Sequence, residues 1–257
     1  MTELDVDLVC DFAGKLAAIA RRLARKHFRK TTTYERKADE SPVTIADKAI
    51  EAALRKEIEE RFPGHAILGE ETGGSGDGDQ LWVIDPIDGT KSFVTGMPLF
   101  GALIAFAEKG VPRVGVIEMP ILGERWVGSN GRTYLDGVAA QVSGCKALEE
   151  ARVYTTSPDI FTPEAWARYD VLSRKGALRR FGGDCYQYGL LASGHCDLVV
   201  ETSLQPYDLM ALVPVVEGAG GVMTDWQGRP LGLFSDGAVV ASASRALHDQ
   251  ALRVLNT

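Results

Sequence analysis

No apolar run in the sequence approaches the roughly 20 residues that a membrane span requires. The acidic start, MTELDVDLVC, has neither the basic flank nor the apolar centre of a secretory signal. A cytoplasmic protein with no membrane partner is therefore expected. Cysteine is sparse: Cys10, Cys145, Cys185 and Cys196 show no C-x-x-C spacing, so free thiols are expected rather than a disulfide framework. The four histidines, His27, His65, His195 and His248, include no pair four residues apart, which argues against zinc held on one helix. Any metal here should be held by oxygen. Positive charge is in deficit, with 28 Lys and Arg against 35 Asp and Glu and a net charge of −7. The one basic run, Arg21 to Lys30, reads as the solvated end of a helix, so nucleic acid is not an expected partner. No internal repeat is present, which excludes a solenoid.

What is present is an ordinary globular composition, 45% apolar and 25% charged, over 257 residues. That length allows one large domain or two halves sharing an interface. Leu8, Phe12, Leu16, Ile19 and Leu23 recur at helical spacing within residues 3–29. A second helix follows Ser41-Pro42-Val43-Thr44, with Thr44 as cap, Asp47 in the first turn and Ile45, Ala49, Ala53 and Ile58 on one face, until Phe62-Pro63-Gly64 ends it. Strands are expected at 66–69, 81–84, 99–108, 113–119 and 125–129, the last three joined as hairpins by 108–112 and 120–123. The glycine-rich Thr72 to Asp79 reads as a mobile loop. Beyond a boundary at 137–150 the pattern changes to alternation: strands near 153–155, 177–181, 197–201, 221–224 and 238–241, helices at 163–174, 184–194, 206–219 and 244–255. Two units follow, 1–140 and 141–257, in a layered α+β architecture.

The most informative stretch is Trp82-Val83-Ile84-Asp85-Pro86-Ile87-Asp88-Gly89-Thr90-Lys91-Ser92-Phe93, a buried strand that stops on two carboxylates, a glycine and a hydroxyl. Like charges so placed repel unless a cation lies between them. Taken alone, Asp-Gly is also a common turn. Two further acids shift the balance: Glu70 ends the apolar Ala66 to Gly69, and Asp208 follows Pro206 at a helix start. Convergent hard oxygen ligands suit Mg²⁺. The N–H groups of Gly89 and Thr90 would face a phosphate if a short helix starts there, although Thr90 also reads as a plain N-cap.

Asp85-Pro86-Ile87-Asp88-Gly89-Thr90 resembles the metal-binding signature of the inositol monophosphatase superfamily. Pro42-Val43-Thr44 with Asp47, Gly69-Glu70-Glu71, and Asp208 followed by Glu217-Gly218-Ala219-Gly220-Gly221 are similar to the family's other marks, in the same order over about residues 40–235. The resemblance implies a layered α-β-α-β-α sandwich of the inositol monophosphatase/fructose bisphosphatase type and a homodimer. It also implies a phosphatase that takes small phosphate monoesters, uses two or three Mg²⁺ and is inhibited by Li⁺. It implies that Glu70, Asp85 and the Ile87 carbonyl hold one metal, that Asp85, Asp88 and Asp208 hold a second, and that Glu70 helps hold a third. Thr90 and Asp47 are then the pair that orients the attacking water, with Glu70 joining them in the catalytic set, and Gly89, Thr90 and Asp208 also face the substrate.

Tyr207 before the late aspartate and Gly182-Gly183-Asp184-Cys185-Tyr186 resemble the histidinol-phosphate phosphatase branch. So do Gly101 to Ala105, Gly123 to Trp126 and Val222 to Trp226. L-histidinol phosphate carries an ammonium and an imidazole, which an acidic pocket favours over a neutral polyol. Asp184 and Glu201 are the candidate acids on that side, set against roles as an N-cap and a solvated strand end, and Arg179, Arg180, Tyr186 and Tyr188 are candidate pocket lining. The competing readings are an inositol-1-phosphate phosphatase, a broad sugar-phosphate or nucleotide 3′-phosphatase, and an inactive regulatory binding module. The last is opposed by the presence of every metal-ligand position of the family.

Overall fold

The structure is a computed structural model describing residues 5–30, 35–36, 42–76 and 78–257. Residues 3 and 4 of the expected first helix, Ser41 before the second, and Asp77 of the expected loop lie outside these. The chain opens with α1 (Val6–His27), a two-stranded ribbon of β1 (Glu35–Arg36) and β2 (Pro42–Val43), and α2 (Ile45–Arg61). Next come β3 (Ala66–Gly69), β4 (Gly73–Ser75), β5 (Gln80–Asp88), α3 (Thr90–Val94), β6 (Gly101–Glu108), β7 (Val111–Met119), β8 (Glu124–Ser129), β9 (Arg132–Leu135) and β10 (Val138–Ala139). The remainder is β11 (Arg152–Thr155), α4 (Pro163–Ser173), β12 (Leu178–Phe181), α5 (Tyr186–Ala192), β13 (Leu198–Glu201), α6 (Pro206–Leu209), α7 (Leu212–Gly218), β14 (Val222–Thr224), β15 (Val239–Ser242) and α8 (Arg245–Leu255).

Strand alternation explains the layering. In β6, Ala102, Ile104 and Phe106 join a core with α1 and α2, while Leu103, Ala105 and Ala107 face the other way, into a core with α5 and α7. The sheet β10-β9-β8-β7-β6-β5-β3-β4 is therefore covered on both faces. Val199 and Ala241 bring the second sheet, β12-β11-β13-β15-β14, onto the far side of that inner core. Leu198, Val200 and Val240 point away from it into a third core with α4 and α8. The result is the expected α-β-α-β-α sandwich. The inner core joins Val83, Leu103 and Ile117 to Val199, Leu212 and Ala241, residues from either side of 137–150.

Several local expectations change on folding. Gly73 to Ser75, expected in a mobile loop, pair antiparallel with β3 as β4, and Arg55 donates to the Gly73 carbonyl and to Ser75 Oγ at 3.1 Å. The expected helix 206–219 divides into α6 and α7, since Pro214 has no N–H to donate back to Met210. The basic run is not simply solvated: Arg21 and Arg125 both pair with the buried Glu118, and Arg25 caps the Pro120 carbonyl, tying α1 to the sheet. The buried face of α2 is Ala46, Asp47, Ile50, Glu51, Leu54 and Ile58, whereas Ile45 is 63% exposed. The four cysteines are free.

Two glycines let α7 settle on the sheet. Gly115 and Gly128 pair across β7 and β8; a Cβ on the first would lie 2.0 Å from the Ala211 carbonyl oxygen, and one on the second 2.3 Å from that of Pro214. The obstacle is backbone, so Gly115→Ala should destabilise by about 1–3 kcal/mol or more, read as a lower urea midpoint at unchanged m-value.

His248 is fully buried, with Nδ1 2.9 Å from Ser242 Oγ and Nε2 2.8 Å from Thr224 Oγ1. Burial first, and then the Arg245 charge, pushes its pKa down to about 4. The fold thus favours the neutral ring. The stability this contributes is whole above the unfolded value of about 6.5 and is lost as pH falls toward 4. Urea midpoints at pH 7 and pH 4.5 should differ more in the wild type than in His248→Gln.

Candidate active site

The site forms where β3 ends beside β5. They run parallel with Gly69 beside Ile84, so the next residue of each, Glu70 and Asp85, lie at the same end. The Glu70 amide donates to the Ile84 carbonyl at 3.1 Å. Simple alternation would send Asp85 and Asp88, three residues apart, to opposite faces of β5. A bulge prevents this: Asp85 sits opposite Leu103 and Asp88 opposite Gly101, three steps on β5 against two on β6. The Ile87 amide donates to Asp85 Oδ1 at 3.0 Å within the bulge. Gly89, at φ 84°, takes a left-handed conformation that turns the chain into α3, and Thr90 Oγ1 donates back to the Ile87 carbonyl at 3.0 Å.

Asp208 arrives from the other half of the sequence. It is the third residue of α6, and its Oδ2 accepts the Gln205 amide at 2.7 Å in a capping box. One carboxylate oxygen from each of Asp85, Asp88 and Asp208 lies within 4.8 Å of the others. At an effective dielectric of about 20, each charged pair so placed costs about 3 kcal/mol or more, and the trio together about 10 kcal/mol. That rivals the whole stability of a typical domain, about 5–15 kcal/mol. Burial and mutual repulsion raise the pKa values of two of these carboxyls. Asp85 is raised well above the usual carboxylate range by burial and then by Glu70, Asp88 and Asp208. Asp88 rises to about 7 through burial and the Asp208 charge. The Glu70 side chain lies near enough to Asp85 to add to its rise. A compact set of oxygen ligands with excess negative charge fits Mg²⁺.

Asp47 stands beside this group on α2. Thr44 caps the helix, and its N–H and hydroxyl donate to Asp47 Oδ2 at 2.9 and 2.5 Å. Asp47 Oδ1 is buried with no hydrogen-bond partner, which marks a place for a water or ion. Burial raises the Asp47 pKa, with the Glu70 charge adding to it.

A cavity opens from the trio, lined by Asp88, Asp208, Asp184, Glu201, Cys185, Tyr188, Thr156, Ile160, Leu204 and Leu212. Asp184 is not an N-cap. Its φ is 43°, Ser92 Oγ donates to its Oδ2 at 3.2 Å, and α5 begins two residues later without a side-chain cap. Burial and the Asp88 charge push its pKa up to about 8. Glu201 is not solvated: it is 2% exposed, with the Thr156 amide at 2.9 Å and the Tyr188 hydroxyl at 2.7 Å. Burial raises its pKa, against the pull of those two donors. The Cys185 amide donates to Asp88 Oδ2 at 2.5 Å, so the trio and the cavity wall are joined.

Of the other lining candidates, Tyr188 is present, but Arg179 turns away to Asp170 and Ser173, and Tyr186 packs edge-on against Trp126. The sequence reading passed over Ser92, Thr156 and the buried Glu51. For Glu51 a signal existed: it lies four residues after Asp47, on the same helix face, between Ile50 and Leu54.

Against known proteins, the sequence matches the inositol monophosphatase family over residues 5–257. It is 46% identical to the chloroplastic bifunctional phosphatase IMPL2 of Arabidopsis thaliana, across 99% of this chain and 77% of that protein. It is 38% identical to a histidinol-phosphatase of Mycobacterium tuberculosis, across 86% of each. The fold superposes on a solved inositol monophosphatase of Zymomonas mobilis with a TM-score of 0.91 at 44% identity, covering 99% of this chain and 100% of that one. An acid trio at the ends of a bulged strand and a capped helix, and a family match along nearly the whole sequence, lead to one conclusion: this chain belongs to the inositol monophosphatase family of metal-dependent phosphatases.

Proposed function

We propose that the chain is a Mg²⁺-dependent phosphomonoesterase whose preferred substrate is L-histidinol phosphate, acting in histidine biosynthesis as a cytoplasmic homodimer. The observation that carries the substrate choice is a cavity in which Asp88 and Asp208 of the acid trio are joined by two further carboxylates, Asp184 and Glu201, with no basic side chain among its lining residues. A leaving alcohol that bears an ammonium and an imidazole complements those acids, whereas a neutral polyol leaves them uncompensated. The relatives named histidinol-phosphatase support this choice. The similarity to a named inositol monophosphatase supports inositol 1-phosphate as the competing substrate.

In this reading Glu70, Asp85, Asp88, Asp208 and the Ile87 carbonyl would hold two or three Mg²⁺, with Asp85 shared and Li⁺ inhibitory. The bound metal supplies Lewis-acid charge to the phosphoryl oxygens and makes water more acidic. The residues of the chain do the rest. Thr90 has its hydroxyl proton committed to Ile87, so its oxygen presents lone pairs to an incoming water. Asp47 keeps Oδ2 on Thr44, and its unpartnered Oδ1 is the acceptor for that water's proton. Gly89 and Thr90 present the first amides of α3 to the phosphate.

Asp85→Asn removes the shared ligand together with one of the repelling charges. Mg²⁺-dependent phosphate release should fall at least about 100-fold, while thermal stability without metal is unchanged or higher. An Asp85→Asn protein with near wild-type turnover would refute the ligand assignment.

The substrate is tested by comparing kcat/KM for L-histidinol phosphate, inositol 1-phosphate and adenosine 3′,5′-bisphosphate. The first should lead by about tenfold or more, and Asp184→Asn should cut its kcat/KM by about 10- to 100-fold while sparing inositol 1-phosphate. A tenfold lead for inositol 1-phosphate would overturn the choice.

A further inference from the structure

Glu51 is a buried carboxylate, 0% exposed, that the proposed mechanism does not use. Its surroundings are specific. Oε2 accepts the Glu71 amide at 2.7 Å, and Oε1 accepts the Thr72 amide at 3.1 Å, the Thr72 hydroxyl at 2.5 Å and Arg55 Nε at 2.9 Å. Three of these donors converge on Oε1 and one on Oε2, so Glu51 is engaged chiefly in holding protein. Gly69 makes room for it: a Cβ there would lie 2.3 Å from Glu51 Oε1. Arg55 extends the same hold to Gly73 and Ser75 on β4.

Between these contacts stands Glu70. Its own amide is fixed to Ile84 on β5, and the next two amides are fixed to Glu51 on α2. Backbone anchored on both sides leaves little freedom in where the Glu70 side chain starts, and that side chain reaches Asp85. We propose that Glu51 is a positioning residue for the metal site: with Arg55 it clamps the 69–72 turn to α2 and thereby sets Glu70 beside Asp85. Asp47, on the same face of the same helix, is carried along, so α2 delivers two parts of the site together. The inference rests on the reading of Glu70 as a cation ligand.

A residue that only adds stability would lower the melting temperature and leave metal affinity alone. A positioning residue changes metal affinity in the folded protein. In Glu51→Gln the side chain keeps its shape, but it loses its charge and turns an NH₂ toward one of its donors. Amide exchange at Glu71 and Thr72 should accelerate about tenfold or more, and the Mg²⁺ concentration giving half of the maximal thermal shift should rise about 10- to 100-fold. KM at saturating Mg²⁺ should stay within about twofold, because Glu51 lies outside the substrate cavity. Should Glu51→Gln fail to fold, Thr72→Val removes one donor at an exposed position and should move both readouts in the same direction by about two- to fivefold. A folded variant with wild-type exchange at Glu71 and Thr72, or with an unchanged Mg²⁺ midpoint while the wild type responds to Mg²⁺, overturns the clamp and leaves the phosphatase reading standing. A wild type whose melting temperature ignores Mg²⁺ overturns the metal-holding reading beneath it.

Discussion

Repulsion among carboxylates gathered in one place is the constraint around which the molecule is arranged. Asp85, Asp88 and Asp208 each bring a carboxylate oxygen within 4.8 Å of the others, and Glu70 lies close to Asp85. Mutual repulsion in that cluster opposes folding in the absence of a cation, so the remaining structure has to hold it together. It does so with three apolar cores stacked about two sheets, with strands such as β6 buried on both faces. The acids occupy strand ends and helix starts, where side chains can meet without interrupting those cores.

Two of the acids owe their orientation to helix capping. Asp47 and Asp208 are each the third residue of a helix, and each commits one oxygen to the residue that begins it, Thr44 or Gln205. The carboxylate direction is thereby fixed by local backbone rather than by distant packing, which suits a group that must stay in place amid like charges. Asp85 obtains the same rigidity from the Ile87 amide within the β5 bulge. The polar site is thus assembled from short-range devices, and the long-range fold has only to bring those devices together.

The acid trio and the far wall of the cavity are mechanically joined. Asp88 accepts the Cys185 amide, and the adjacent Asp184 is held by Ser92 on the helix that follows the Asp85-to-Thr90 turn. In the proposed reaction the departing alcohol would meet a wall whose position is referenced to the acid trio. Different substrate preferences among relatives of this fold can arise from changes in that wall while the trio stays as it is.

Much of this was legible in the sequence. The helical period of α1, the Thr44 cap, the hairpins from β6 to β8 and the identity of the convergent acids all follow from patterns spanning a few residues, because period, capping and turn chemistry are local. The layered α+β class follows from the order of those patterns. Local pattern could not reveal that a bulge turns Asp85 and Asp88 to one side, or that the buried face of α2 carries Asp47 and Glu51 while Ile45 is exposed. Nor could it reveal that Gly73 to Ser75 form a strand, or that Arg21 reaches a buried Glu118. Each of these depends on partners far away in the chain. An acid becomes a tolerable core residue only when tertiary packing supplies the donors or cations that compensate it, and no short window of sequence contains them.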